Sequence, residues 1–236
     1  MSTNPSALSY SAAASRNVPK SNTNPNPPPK PAQTDQDTQP ADQDAYLVDP
    51  THLPRTDLEE ESVYVLTILT DKAHHDRMTA LRRKYFPKRL NKLAAHLTLF
   101  HALPESSLQS HVIPTIKDVT SQTSRFDVYA DKPFQLKRGI AVGISSSAGG
   151  NQGKQIHRKL QDAWKRENFL SEQDAGGCRL HYTLMNKVDD EMEVDNAFQD
   201  LTASFRGDKG VAEGLALWRY ERGFWKWERK FEFAGK

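Results

Sequence analysis

A short pattern, His-x-Thr-Leu, occurs twice in this chain of 236 residues, 85 positions apart. The copies, His96–Leu99 and His181–Leu184, each lie in an apolar run that is typical of a β-strand. Residues two apart on a strand point to the same face, so each copy projects an imidazole beside a hydroxyl. Of the eight histidines, only these two have Ser or Thr at the second following position and an apolar residue at the third. The pair predicts two strands that face each other across a cleft, with groups suited to acid–base chemistry at a phosphate.

Composition divides the chain unevenly. The first 54 residues contain ten of the fourteen prolines, and Ser21–Pro31 is a low-complexity run. Such a segment buries too little apolar surface to offset the entropy lost on ordering. We therefore predict a disordered Pro/Asn/Ser-rich tail over 1–56 and a folded domain over 57–236, which is long enough for a substantial core. Pro27–Pro31 could instead be a docking site for a proline-reading domain, as an alternative to a plain solvated leader.

Features that bear on location and charge are few. No apolar run reaches transmembrane length and no secretory signal is present, so no membrane association is expected. The single cysteine, Cys178, excludes an intramolecular disulfide and fits a reducing compartment, so we expect the cytoplasm or the nucleus. The net charge of +2 does not by itself indicate nucleic-acid binding. The densest basic segment, Arg82–Lys92, is either a solvated helix end or an electrostatic funnel beside a phosphate site.

The secondary-structure pattern predicts the order β-α-β-α-β-β-β-α-β-α-β-β. Each motif strand follows one helix and precedes another, which indicates an α+β fold built as a two-lobed duplication. Asp71 is the predicted cap of a helix over 72–86 that ends before Pro87. Between the two motifs we predict three short strands, at 126–129, 134–136 and 140–144. A flexible surface loop is predicted to follow them at 145–153.

The residues around both motifs resemble the 2H phosphoesterase superfamily, which includes RNA 2′,3′-cyclic phosphodiesterases also known as 2′-5′ RNA ligases. The resemblance covers about residues 60 to 233 and rests on these stretches: Phe86-Pro87, Ala95–Pro104, Gln173-Asp174, His181–Val188, Leu217–Tyr220 and Trp225. One departure is Leu180, which stands where this branch of the family often has proline.

The resemblance implies a fold and a site. The fold is a pair of antiparallel-sheet lobes related by a pseudo-twofold axis, with the motif strands flanking a central cleft and the helices outside. His96 and His181 would be the catalytic pair, and Thr98 and Thr183 would bind the phosphate oxygens. The implied substrates are RNA 3′ ends or small cyclic nucleotides, and the products are expected to carry a 2′-phosphate.

The chemistry of a cyclic phosphate needs two proton-transferring groups. Water attacks phosphorus in line with a departing ribose oxygen while one group accepts a proton and another donates one. Histidine suits both roles because its ordinary pKa is about 6.5. We take His96 as the acid and His181 as the base, an assignment that the sequence alone does not decide. The pattern lacks zinc-site spacing, so no metal or other cofactor is expected. The same residues allow the reverse 2′-5′ ligation, which we do not expect to dominate in water.

Two other functions stay open. A non-catalytic module could hold a nucleotide or an RNA end in the same cleft, and the proline-rich tail could make this an interaction protein. Cys178 lies three residues before His181, and on an extended strand the two would point to opposite faces. His101 and His157 are predicted to be surface or structural. Four aromatic residues are predicted to pack on the sheet, with base stacking as the alternative: Trp218, Tyr220, Trp225 and Trp227.

Overall fold

The computed structural model describes residues 53–56, 61–221 and 224–235. Of the tail predicted over 1–56, only the last four residues fall within this part of the chain. There the backbone N–H of Arg55 donates to the carbonyl oxygen of Phe169 at 3.0 Å. The rest of the predicted tail and its proline-reading segment lie outside the described residues.

Strands and α-helices alternate along the described chain. Their bounds are β1 Val63–Thr70, α1 Lys72–Tyr85, β2 Leu97–Pro104, α2 Ile113–Ser121, β3 Phe126–Leu136, β4 Gly139–Ile144, α3 Asn151–Trp164, β5 His181–Met185, α4 Glu191–Ser204, β6 Asp208–Glu221 and β7 Phe224–Glu232. Short helical turns lead into α2 and α3 and follow α3. The predicted order is confirmed except that the region between the motifs contains one strand fewer.

Helix α1 begins where the sequence predicts and ends one residue earlier than predicted, at Tyr85. The carboxylate of Asp71 accepts a hydrogen bond from the backbone N–H of His74 at 3.0 Å, which satisfies one of the donors that a helix start leaves free. Phe86 caps the other end in an extended conformation, as expected for the residue before Pro87.

The prediction of two separate strands at 126–129 and 134–136 is wrong, because β3 is one strand of 11 residues. Pro133 has no N–H to donate, so it cannot complete a regular ladder of hydrogen bonds. The register between β3 and β4 shifts between Ala130 and Pro133, so the proline lies at an irregularity that tolerates it.

The flexible surface loop predicted over 145–153 is also wrong. The segment is a helical turn, Ser146–Gly150, followed by the first turn of α3. Gly149 is buried with φ of +96°, and a Cβ there would lie 2.7 Å from Cγ1 of Val128. Both the left-handed backbone and the close approach to β3 require glycine.

The strands form one antiparallel sheet in the order β1-β2-β5-β4-β3-β6-β7, with a further pairing between β1 and β6. Strand β6 serves both halves, since residues 208–212 pair with β3 and residues 212–220 pair with β1. One lobe therefore contains β1, β2, β7 and the end of β6, and the other contains β3, β4, β5 and the start of β6. The α+β, two-lobed architecture is confirmed, with the lobes sharing a continuous sheet.

The two motif strands are neighbours in this sheet. β2 and β5 pair at Leu97 and Tyr182, which are 0% and 1% exposed. The helices cross over between the lobes, because α1 precedes β2 but packs on β5, and α3 precedes β5 but packs on β2. Burying the apolar motif residues against these helices leaves the alternate positions to face the other side.

Candidate active site

The structure brings the four predicted site residues together. His96 lies immediately before β2 and His181 begins β5, with Thr98 and Thr183 two positions further along each strand. All four line a single cleft with a volume of about 290 Å³. Each is partly exposed, whereas the intervening residues are buried, so the predicted alternation is correct.

The two histidines are held by equivalent hydrogen bonds. Nδ1 of His96 lies 2.8 Å from the carbonyl oxygen of Ala94, and Nδ1 of His181 lies 2.7 Å from that of Arg179. In both cases the acceptor is two residues earlier in the chain. A carbonyl oxygen only accepts, so the proton of each neutral ring is on Nδ1 and Nε2 is left as a base. The two motifs therefore hold their imidazoles in the same tautomer.

The surroundings of both imidazoles favour their neutral form. Burial lowers the pKa of His96 to about 3, and the positive charge of Arg82 acts in the same direction. Burial also lowers the pKa of His181, while its hydrogen bond to the carbonyl of Arg179 opposes the effect. Desolvation penalises the charged imidazolium, which explains the direction in both residues.

Arg82 connects the elements that form the cleft. Its side chain is 5% exposed, and its Nε donates to Oδ1 of Asn91 at 3.0 Å and to the carbonyl oxygen of Leu93 at 3.2 Å. Nη1 donates to the carbonyl oxygen of Thr183 at 2.5 Å. Burial lowers the pKa of Arg82 to about 10, so it still carries its charge at neutral pH. For this residue, the interpretation of the basic segment as a solvated helix end is wrong.

An aromatic ring flanks each histidine. The ring centroids of Trp225 and His96 lie 4.3 Å apart, and the rings of Phe134 and His181 meet in a T-shaped arrangement with centroids 5.6 Å apart. The guanidinium of Arg179 lies 3.7 Å from the centroid of Phe134. Trp218 instead donates from Nε1 to Oγ1 of Thr67 at 2.9 Å, which fits the packing role predicted for it. The side chain of Trp227 lies outside the described residues.

Sequence reasoning assigned no role in the cleft to His101 and Asp174, which are among its lining residues. His101 was predicted to be a surface or structural residue, yet it lines the cleft together with Asp174. The Asp174 carboxylate is 1% exposed and accepts from the backbone N–H groups of His101 and Ala102 at 2.8 and 2.9 Å. Nδ1 of His101 lies 3.3 Å from the same carboxylate. The only sequence signal was the Gln173-Asp174 pair, which entered the family resemblance without a role.

Cys178 also lines the cleft, together with His181. The expectation that the two residues point to opposite faces assumed an extended strand, but β5 begins only at His181. Burial raises the pKa of the Cys178 thiol to about 11, so it is protonated at neutral pH and is a poor nucleophile.

The described residues lack two kinds of feature. No group of three or more His, Cys, Asp or Glu side chains in this part of the chain is arranged to hold a metal ion. Among the described helices, none combines the length and the apolar character needed to cross a membrane.

The geometry agrees with the comparisons with known proteins. A sequence model of the 2′-5′ RNA ligase superfamily matches residues 70–224, which is most of the folded domain and includes both motifs. The chain belongs to the 2′-5′ RNA ligase superfamily. The predicted resemblance to the 2H phosphoesterases is thereby confirmed. A search of curated proteins gives no match.

Solved structures of this fold confirm the architecture. LigT of E. coli in complex with 3′-AMP is 12% identical and has a TM-score of 0.50, with coverage of 74% of this chain and 99% of LigT. A crystal structure described as a phosphoesterase is also 12% identical, with a TM-score of 0.52 and coverage of 74% and 99%. At this level of identity the likeness concerns the fold alone.

Proposed function

We propose that this protein is a metal-independent phosphodiesterase that opens 2′,3′-cyclic phosphates, at RNA ends or on nucleotides, to 2′-phosphates. The observation that carries the proposal is the matched pair of hydrogen bonds from Nδ1 of His96 and His181 to backbone carbonyl oxygens. Each bond leaves one Nε2 for proton transfer, and the two rings share a cleft with Thr98 and Thr183. General acid–base catalysis of phosphodiester cleavage needs two such groups.

The directions of the pKa shifts favour the reverse of the assignment made from sequence. Burial and the charge of Arg82 hold His96 neutral, with a pKa of about 3, and a bound phosphate raises that pKa so that the imidazole can accept the proton of the attacking water. A bound phosphate is negatively charged and raises the pKa of nearby histidines, so His181 becomes the proton donor. The water oxygen bonds to phosphorus, the bond to the ribose 3′ oxygen breaks, and His181 protonates that oxygen. The products are a 2′-phosphate and a 3′-hydroxyl.

The threonines and Trp225 complete the site. The hydroxyls of Thr98 and Thr183 are oriented by the motif strands and donate to the non-bridging phosphoryl oxygens, where charge develops in the transition state. Trp225, beside His96, offers an aromatic face to the base. The crystal structure of E. coli LigT contains 3′-AMP, which supports a nucleotide or an RNA end as the ligand class here.

Hydrolysis of 2′,3′-cyclic nucleotides and of a cyclic-ended oligonucleotide in EDTA tests the proposal. We expect turnover to 2′-phosphates that falls by about 10²-fold or more in His96→Ala and in His181→Ala, since each change removes one proton-transferring group. His111→Ala, at a partly exposed histidine on the helical segment before α2, is the matched control and should keep full activity.

Each contrary outcome has a distinct meaning. A 3′-phosphate product would contradict the proposed direction of ring opening, and activity that disappears in EDTA would contradict metal independence. Tight binding of the cyclic nucleotide without turnover would instead establish the non-catalytic module.

A further inference from the structure

A second pocket, of about 400 Å³, opens beside the catalytic cleft and shares Arg179 with it. We call it the basic pocket, because its lining contains the cations Lys132, Lys154 and Arg179, together with the hydroxyls of Ser145 and Ser146. Asp131 is the only carboxylate among the described residues that line it. The charged groups of the lining therefore sum to a clear positive excess.

The three cations of the basic pocket come from separate elements. Lys132 lies in β3, Lys154 in α3 and Arg179 just before β5. All three are exposed. Some other surface cations are paired with carboxylates, for example Lys84 with Asp200 and Arg138 with Asp189, each at 2.6 Å. Within the described part of the chain, the three cations have no carboxylate within ion-pairing distance, so their charge is available to an anion.

The basic pocket begins where the second catalytic histidine is held. The carbonyl of Arg179 accepts from Nδ1 of His181, and the Arg179 guanidinium lies on the ring of Phe134, which makes a T-shaped contact with His181. An anion bound by Arg179 would therefore lie next to the reacting phosphate.

A third cavity adjoins the catalytic cleft on the side of the first histidine. It has a volume of about 250 Å³, shares His96 and Trp225 with the cleft, and also contains Trp218. An aromatic cavity, the catalytic cleft and the basic pocket thus form a continuous series. Such a series matches one end of a polynucleotide, where a base, a terminal phosphate and the next backbone phosphate follow one another.

We infer that the basic pocket binds a second phosphate, attached to the 5′ oxygen of the nucleotide whose cyclic phosphate is opened. This inference rests on the proposed function. The second phosphate is either the next phosphodiester of an RNA chain or a free 5′-monophosphate, and both present the same anion. A cyclic mononucleotide without a 5′-phosphate leaves the pocket empty.

Three substrates and two double variants test the inference. The substrates are a 2′,3′-cyclic mononucleotide, the same compound with a 5′-phosphate, and a cyclic-ended trinucleotide. The variants are Lys132→Ala/Lys154→Ala and, as a charge-matched control, Lys117→Ala/Lys159→Ala, which removes two exposed lysines outside the pocket. All four lysines are exposed, so the fold should survive, which thermal unfolding checks.

We expect wild-type kcat/KM to be higher for the two substrates that carry the second phosphate. The pocket variant should lose about tenfold in kcat/KM on these substrates, with the rate on the plain mononucleotide unchanged, because two phosphate contacts are removed. For the trinucleotide, the slope of log affinity against log salt should fall by about 0.7 for each lost phosphate contact. The control variant should match wild type. If kcat/KM is higher for the trinucleotide than for the 5′-phosphorylated mononucleotide, the second phosphate is the next phosphodiester of an RNA chain.

Binding of the 2′-phosphorylated products gives a readout that does not depend on turnover. If the plain mononucleotide is hydrolysed but a 5′-phosphate improves neither kcat/KM nor product affinity, the inference is wrong and the proposed function stands. An equal loss of kcat/KM in both double variants would also overturn the inference. The effect would then come from the net charge of the protein and not from the basic pocket. If no substrate is hydrolysed, the proposed function fails, and the product affinities of the two variants still decide whether the pocket binds phosphate.

Discussion

Nη1 of Arg82, in the helix before the first motif, donates to the backbone carbonyl of Thr183, in the second motif, at 2.5 Å. The bond joins the two halves of the duplicated fold at the cleft. It places a buried cation next to His96, where it acts with burial to keep the imidazole neutral. Arg82 is thus a positioning residue. It holds the backbone of the second motif at Thr183 and favours the neutral form of His96 in the first motif.

Replacing Arg82 should change both the stability and the pH dependence of the protein. Arg82→Met leaves the carbonyl of Thr183 without its donor, so we expect a loss of about 1–3 kcal/mol in the free energy of unfolding. The pKa of His96 should rise without the cation, which moves the acid limb of kcat/KM to higher pH. Urea unfolding and a pH–rate profile measure the two effects.

Arg82→Lys and Arg83→Met are the matched variants for this test. Lysine keeps the charge but lacks the planar fork, so its pH profile should lie near that of wild type even if its stability falls. Arg83 is exposed on the same helix, and its replacement should change neither property. A profile that is identical in Arg82→Met and wild type would refute the electrostatic role.

A substrate with a good leaving group should separate the acid from the base. A p-nitrophenyl phosphodiester needs no protonation of its leaving oxygen, so the loss of the general acid costs little. We expect His181→Ala to recover much of its activity on this substrate, whereas His96→Ala stays impaired. Recovery in His96→Ala alone would restore the assignment made from sequence.

The free energy of unfolding should fall as the pH drops from about 6.5 to about 3. In this range the imidazole of His96 is neutral in the folded protein and protonated in the unfolded chain. The unfolded imidazole protonates near its ordinary pKa of about 6.5. In the folded protein the pKa is lowered to about 3. Between these values the unfolded state binds more protons, so the free energy of unfolding rises with pH over this window.

His96→Gln should reduce that pH dependence. Subtracting the unfolding curve of the variant from that of wild type at each pH isolates the contribution of His96. The same subtraction with His111→Gln serves as the control for a partly exposed histidine. A difference for His96 that is flat between pH 4 and pH 7 would show that the imidazole is freely charged in the folded protein.

Trp225 should contribute to substrate binding more than to the chemical step. Its ring lies 4.3 Å from that of His96, and stacking on a base is worth about 1–3 kcal/mol. Trp225→Ala should therefore raise KM by roughly 5- to 150-fold with a small change in kcat, and Trp225→Phe should recover most of the loss. A kcat that falls with KM unchanged would assign the ring to positioning His96 instead.

Local patterns in the sequence determined much of the fold and the four central residues of the site. The period of two in each motif places His96 and Thr98 on the face opposite Leu97, and the structure has this arrangement. The helix start at Asp71 was equally predictable, because a capping hydrogen bond involves residues only three apart. In both cases the interacting groups are near neighbours in the chain.

The tertiary structure decided what depends on residues far apart in the chain. It continued β3 through Pro133 by a shift in register, brought Asp174 against His101, and buried Arg82 beneath the second motif. It also placed the cations of the basic pocket around one cavity. Such contacts depend on how the two lobes pack, which no local period or cap encodes. The sequence by itself therefore determined which groups could react, and the packing of the lobes decided how they are held and charged.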